Sequence, residues 1–152
     1  MAYSTIDKST DFFNTVLYTG NGTAIGSSGN AITGVGHQPD LVWIKSRTTG
    51  EEHVITDSIR GTTKTIKPNS TAAEYTSAEG LNTFGSDGFT VGNSDQFNTN
   101  SENYVSWNWK AGTTSGINTT GADITPSAYS MNATSGISII KYTGNGTDGA
   151  KI

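Results

Sequence analysis

The sequence predicts an all-β chain, a two-sheet antiparallel β-sandwich with very little helix, on three observations. Thr (25), Gly (19), Ser (17) and Asn (13) together make up about half of the 152 residues. Thr favours strands and resists helix, while Gly, Asn and Ser favour turns. The 3 Trp, 6 Tyr and 5 Phe fall within β-branched runs, and the formal charge is only −4, a combination that argues against disorder. Finally, the apolar runs are short, bounded by turn residues, and in places alternate with period two.

The elements follow in order. Residues 12–20 (FFNTVLYTG) read as the first strand. Residues 40–47 (DLVWIKSR) put Leu41, Trp43 and Lys45 on one face and Val42, Ile44 and Ser46 on the other, apolar on both sides at first, as in a central strand. Residues 53–59 and 62–66 form two more strands around an Arg60-Gly61 turn. Residues 84–92 (FGSDGFTVG) read as a hairpin centred on Asp87-Gly88, a pair suited to positive-φ turn positions. Residues 70–78 (STAAEYTSA) hold enough Ala for one or two helical turns. The clearest strand is 103–110 (NYVSWNWK), with Val105, Trp107 and Trp109 on the side expected to face the core. Residues 112–127 lack a period and read as a long loop or linker, and 137–143 (ISIIKYT) as the last strand.

Several function classes are excluded or weakened. An acidic balance removes the basic field that phosphate backbones need, so nucleic acid is not an expected partner. No cysteine is present, and no apolar run approaches the ~18 residues of a membrane span, so no membrane insertion is expected. The opening residues lack the apolar centre of a signal peptide. His37 and His53 sit in no ligand or triad pattern and read as surface or strand-end residues; no G-x-S-x-G elbow occurs. Glu51, Glu52, Glu74, Glu79 and Glu102 all lie near turns, and no strand carries the paired acids of a glycosidase. An enzyme is therefore not expected. Five Asn-x-Ser/Thr triplets are what chance gives in so Asn- and Thr-rich a chain.

Two binding candidates remain. Asp87, Asn93 and Asp95 flank the 84–92 hairpin and would suit Ca²⁺, although the spacing is not that of an EF-hand and such residues commonly form turns. No other cofactor is expected. Trp43, Trp107 and Trp109 would stack on sugar rings if exposed, whereas their interleaving with Leu41 and Val105 favours burial.

The chain also echoes itself. YTGNGT occurs at residues 18–23 and again at 142–147, 124 residues later, each time after a strand. Gly20, Asn21 and Gly22, and likewise Gly144, Asn145 and Gly146, read as structural turns. Two readings stand: residues 1–135 form the sandwich and 136–152 either complete it as a last strand beside the first, or begin a second repeat unit.

YTGNGTAI, ITGVGHQPDLVWIKSR, DSIRGTTK, NSTAAEYTSAEGLNTFGSDGFTVG and YVSWNWKAG, in that order, cover most of the chain between residues 18 and 112. Together they resemble a YTGNG/QPDLVWIK module of marine bacteriophage (cyanophage-like) structural and tail-fibre proteins. His37 departs from the pattern, which has an aromatic such as Phe there. The resemblance implies a concanavalin-like (jelly-roll) β-sandwich without catalytic residues. It implies a surface-exposed virion location, tail or capsid, after synthesis in the host cytoplasm. Partners would be other virion proteins, further copies of the chain (a trimer in a fibre), and a host surface glycan or protein. The function expected is a structural or adhesion module of a tail fibre or other appendage; a capsid decoration protein and a carbohydrate-binding module are the alternatives. A surface of Thr, Ser and Asn suits salt water, where ion pairs are screened.

Overall fold

The computed structural model describes residues 6–152. The strands are β1 (Phe13–Thr19), β2 (Asn30–Ile32), β3 (Leu41–Ser46), β4 (Val54–Asp57), β5 (Lys64–Thr65), β6 (Tyr75–Thr76), β7 (Leu81–Gly85), β8 (Gly88–Val91), β9 (Asn103–Trp109), β10 (Ala128–Asn132) and β11 (Ile137–Lys141). One short helix, α1 (Asp95–Asn98), lies between β8 and β9. The larger sheet runs β1-β9-β3-β4, the smaller β2-β8-β7, and β5-β6 and β10-β11 are separate two-stranded pairs. Every pairing is antiparallel. The fold is all-β and sandwich-like.

The core lies between the two larger sheets. Val42, Ile44, Val54 and Tyr104 from one side meet Ile32, Leu81, Phe89 and Val91 from the other, with Val16 and Tyr18 packed alongside. Phe97 of α1 closes one end. The DLVWIKSR segment is an interior strand between β9 and β4, as its doubly apolar start predicts.

β9 is turned the opposite way from the expectation. Tyr104, Ser106 and Asn108 are the fully buried positions, while Val105, Trp107 and Trp109 are only half-buried on the outer face. The polar side fits inside because most of its groups find partners, Asn108 Oδ1 being the buried atom that does not. The Tyr104 hydroxyl donates to the Asp95 carbonyl (2.6 Å) and accepts from the Thr99 N–H (2.9 Å). Asn108 donates to the Asn14 carbonyl (3.1 Å) and Ser106 to the Val16 carbonyl (3.4 Å). Tyr18 stacks on Tyr104 with centroids 5.1 Å apart and donates to the Phe97 carbonyl.

Three further expectations are corrected. Residues 70–78 form no helix; Tyr75–Thr76 is strand β6, paired with β5. The 84–92 hairpin turns on Ser86-Asp87, with Gly85 opposite Gly88, and neither turn residue has positive φ. Gly88 is required for another reason: a Cβ there would collide with the Ile32 carbonyl oxygen. His37 is buried rather than superficial, its Nδ1 donating to the Thr10 carbonyl. Residues 112–127 carry no strand, and β10 follows them where none was expected.

The orientation of β9 is open to measurement. Tyr104→Ala is expected to cost about 3–5 kcal/mol, as for other buried aromatics, and Trp107→Ala no more than about 1–2 kcal/mol, both read from urea unfolding midpoints. Equal losses, or the reverse order, would show that the strand faces the other way.

Candidate functional site

The reversed β9 places all three tryptophans on one outer surface. β3 and β9 are neighbours, and Trp43 lies opposite Trp107 while Leu41 lies opposite Trp109. β1 adds Phe13 opposite Trp109 and Thr15 opposite Trp107. Side chains alternate across a strand, so burying Val42 and Ile44 forces Leu41 and Trp43 outward beside Trp107 and Trp109. The Trp43 and Trp107 rings meet edge to face at 5.8 Å, and Phe13 lies 4.9 Å from Trp109.

The three indoles line an open cleft of about 240 Å³, almost wholly apolar. That is below the ~300–1,000 Å³ of an enclosing small-molecule pocket, so it suits a flat face laid against the rings rather than a swallowed ligand. A second cleft of about 410 Å³ lies on the far side of Trp109, between Phe12, Phe13 and residues 135–137. Trp109 is the wall the two clefts share.

One indole is held from beside the sheet. The Trp43 Nε1–H donates to His53 Nδ1 (2.9 Å), which requires that nitrogen to be unprotonated. Burial first, and the Lys45 charge second, hold the His53 pKa below its ordinary 6.5. Lys45 shares the outer face with Trp43, its ammonium tied to the carbonyls of Ser46 (2.6 Å) and Thr49 (3.1 Å).

Asp40, at the head of β3, fixes the strand ends beneath the cleft. Its carboxylate accepts from the Ala111 N–H (2.8 Å) and the Ser58 hydroxyl (2.9 Å), and its own N–H donates to the Trp109 carbonyl (2.7 Å). Arg60 does more than turn the chain: it pairs with Asp57 at 2.6 Å and reaches Glu74 and the Ile55 carbonyl.

The sequence-predicted cation ligands do not converge. Asp87 lies at the start of β8, whereas Asn93 and Asp95 lie beyond its other end. Asp87 accepts from the N–H groups of Gly36 (2.6 Å) and Gly34 (3.0 Å), which in that order lower its pKa from 3.8. The Asn93 N–H donates to Glu79, and the Asp95 carbonyl accepts from Tyr104. Among the described residues, no three His, Cys, Asp or Glu side chains group so as to hold a metal ion.

The two YTGNGT turns share a local shape and differ in surroundings. Thr23 N–H donates to Asn21 Oδ1 (2.8 Å) and Thr147 N–H to Asn145 Oδ1 (2.9 Å), with Gly22 and Gly146 at φ 66° and 74°. The first turn is clasped by buried Asn98, which accepts from the Asn21 N–H and donates to Asn21 Oδ1, both at 2.9 Å. Gly20 is buried so closely that a Cβ would meet the Thr99 carbonyl oxygen. Around the second turn, Gly144, Asn145 and Gly146 are all exposed.

The chain belongs to the family described as domain of unknown function DUF7483. The match spans residues 8–152, so the DUF7483 region holds both YTGNGT turns, the tryptophan face and β10-β11. No curated protein and no solved structure matches the chain.

The signal that could have placed the DUF7483 tryptophans outside was Lys45, alternating with Trp43 on one face of β3. His53, Phe13 and Thr15 reach the site through long-range pairing and carry no local cue.

Two outcomes test this geometry. Because the folded His53 pKa is lowered, its neutral form is favoured in the native state. That contribution to stability is complete above pH 6.5 and is lost as pH falls through the lowered folded value. Tryptophan emission and the melting temperature are expected to change in that window, and not in His53→Gln. Asp40→Asn is expected to cost about 1–3 kcal/mol by weakening the acceptor for the buried Ala111 N–H and the half-buried Ser58 hydroxyl, seen as a lower denaturation midpoint.

Proposed function

We propose that this chain is a non-enzymatic adhesion module of a bacteriophage virion, borne on a tail fibre or other surface appendage. In this reading the outer face of the larger sheet contacts a host glycan. The observation that carries it is the open apolar cleft formed by Trp43, Trp107 and Trp109 on adjacent strands. Aromatic rings present large apolar faces, and a sugar's C–H face lies flat on them while its hydroxyls stay in water. The Thr15 hydroxyl is exposed next to Trp107, within reach of such a hydroxyl. Rings held by their neighbours lose little freedom on binding, which lowers the cost of association. The phage setting rests on the sequence resemblance, and the scarcity of charge agrees with a particle exposed to salt.

The test is a glycan array with the intact chain, followed by titration of any hit by tryptophan fluorescence. Trp107→Ala and Trp43→Ala are each expected to weaken binding at least about tenfold, or ~1.4 kcal/mol, without changing the fold. No bound glycan, together with unchanged indole emission, would overturn the glycan reading. A concentration-dependent blue shift lost in Trp107→Ala would instead show copies docking through this face. Immunogold labelling of virions tests the location.

A further inference from the structure

Strand β11 and its turn align with β1 and its turn at an offset of 124 positions, with YTGNGT identical and FNTVL replaced by ISIIK. Asn14, Val16 and Tyr18 of β1 correspond to Ser138, Ile140 and Tyr142. In β1 this is the inner side: Val16 packs on the core, and Tyr18 is stacked on Tyr104. In β11 the same side is more exposed, with Ile140 40% and Tyr142 49% exposed where they line a shallow cleft with Asp57, Ile59 and Arg60. The opposite side is the one in use. Ile139 is buried near Asp57, Ile59 and Arg60, and Ile137 lines a cleft with Trp109.

The backbone edges agree with the faces. Lys110 N–H donates to the Phe12 carbonyl and Gly20 N–H to the Glu102 carbonyl, so Asn14, Val16 and Tyr18 turn their amides toward β9. In the second copy, Met131 exchanges both backbone hydrogen bonds with Thr113 (2.9 Å each). Its neighbours Ser130 and Asn132 therefore face β11, where they lie opposite Ile139 and Ile137. Ser138 and Ile140 turn their N–H and C=O groups to the other edge. That free edge is the one β1 uses to bind β9.

We propose that β11 with residues 142–147 is the first strand and turn of a second unit of this same fold, offered to a socket built like that of β1. The socket consists of a β9-type strand, a tyrosine equivalent to Tyr104 and an asparagine equivalent to Asn98. The groups that Tyr104, Thr99 and Asn98 meet in the first copy are present in the second, the tyrosine ring and hydroxyl at Tyr142, the close-approach glycine at Gly144 and the amide at Asn145, while Ile137 and Ser138 stand where β1 has Phe13 and Asn14. An apolar strand with one open edge is a template for pairing, and among the described residues none pairs with the edge of β11 that faces away from β10. This proposal does not depend on the glycan reading.

The experiment joins two copies at the shared threonine, residues 1–147 followed by 24–152. Residues 137–147 then replace 13–23 in the second half. A reference of equal length, residues 1–136 followed by 13–152, keeps the native first strand. Both chains are expected to fold in both halves. In the spliced chain the Ser138 and Ile140 amides of the joint should change from fast to slow hydrogen exchange, and its Tyr142 should resist nitration. Tyr142→Ala at the joint should unfold the second half of the spliced chain, whereas in the 152-residue chain it should leave the melting temperature unchanged. A second half that stays unfolded in either chain, or joint amides that still exchange fast, overturns the proposal. The glycan titration of the first half is read independently.

Discussion

The rest of the structure depends on which way β9 faces. It is bonded on both edges, to β1 and to β3, so its facing sets theirs through a shared register. Turned as it is, it buries two hydroxyls and an amide that would each be costly if unpaired. Ser106 and Asn108 avoid most of that cost by donating to carbonyls of β1, and Tyr104 avoids it by bridging the two ends of α1. The alternative facing would bury Trp107 and Trp109 but would also turn Val42, Ile44, Val16 and Tyr18 outward. The neighbouring strands outweigh the single strand.

This explains which parts of the fold were legible in the residues. Strand positions and the interior place of β3 follow from local β-branched and aromatic runs. The facing of β9 does not, because period two specifies two faces without saying which is inner when Tyr104 stands on one and Trp107 on the other. Residues 70–78 show the same limit: Ala content favoured helix, but pairing of Tyr75–Thr76 with β5 set the backbone instead. The Ser86-Asp87 turn displaced the expected Asp87-Gly88 pair because Gly88 was needed for close approach to β2. Of the binding candidates, the tryptophans are brought together by strand register, whereas Asp87 is separated from Asn93 and Asp95 by the length of β8.

Neutral hydrogen bonds to Asn do much of the long-range tying. Asn98 alone joins the first YTGNGT turn, β2 through Asn30 and the end of α1. Such bonds do not weaken with ionic strength as exposed ion pairs do. The Arg60–Asp57 pair is the exception in being largely shielded from solvent, with side chains 15% and 6% exposed. A chain with few charges therefore keeps its loops in place through amides whose partners are fixed by geometry.

The same amide logic links the repeat to the outer face. A YTGNGT turn forms its local bend wherever it occurs, as the matching Asn21 and Asn145 contacts show. The first is clasped by Asn98, whereas the second lies exposed. Bend formation and docking are thus separate steps, and a strand can arrive preshaped before its partner does. Ile137 lines the cleft that shares Trp109 with the indole surface. Seating β11 in a second unit would hold one wall of that cleft more firmly, so the joint between units and the edge of the tryptophan face would be set by the same few residues.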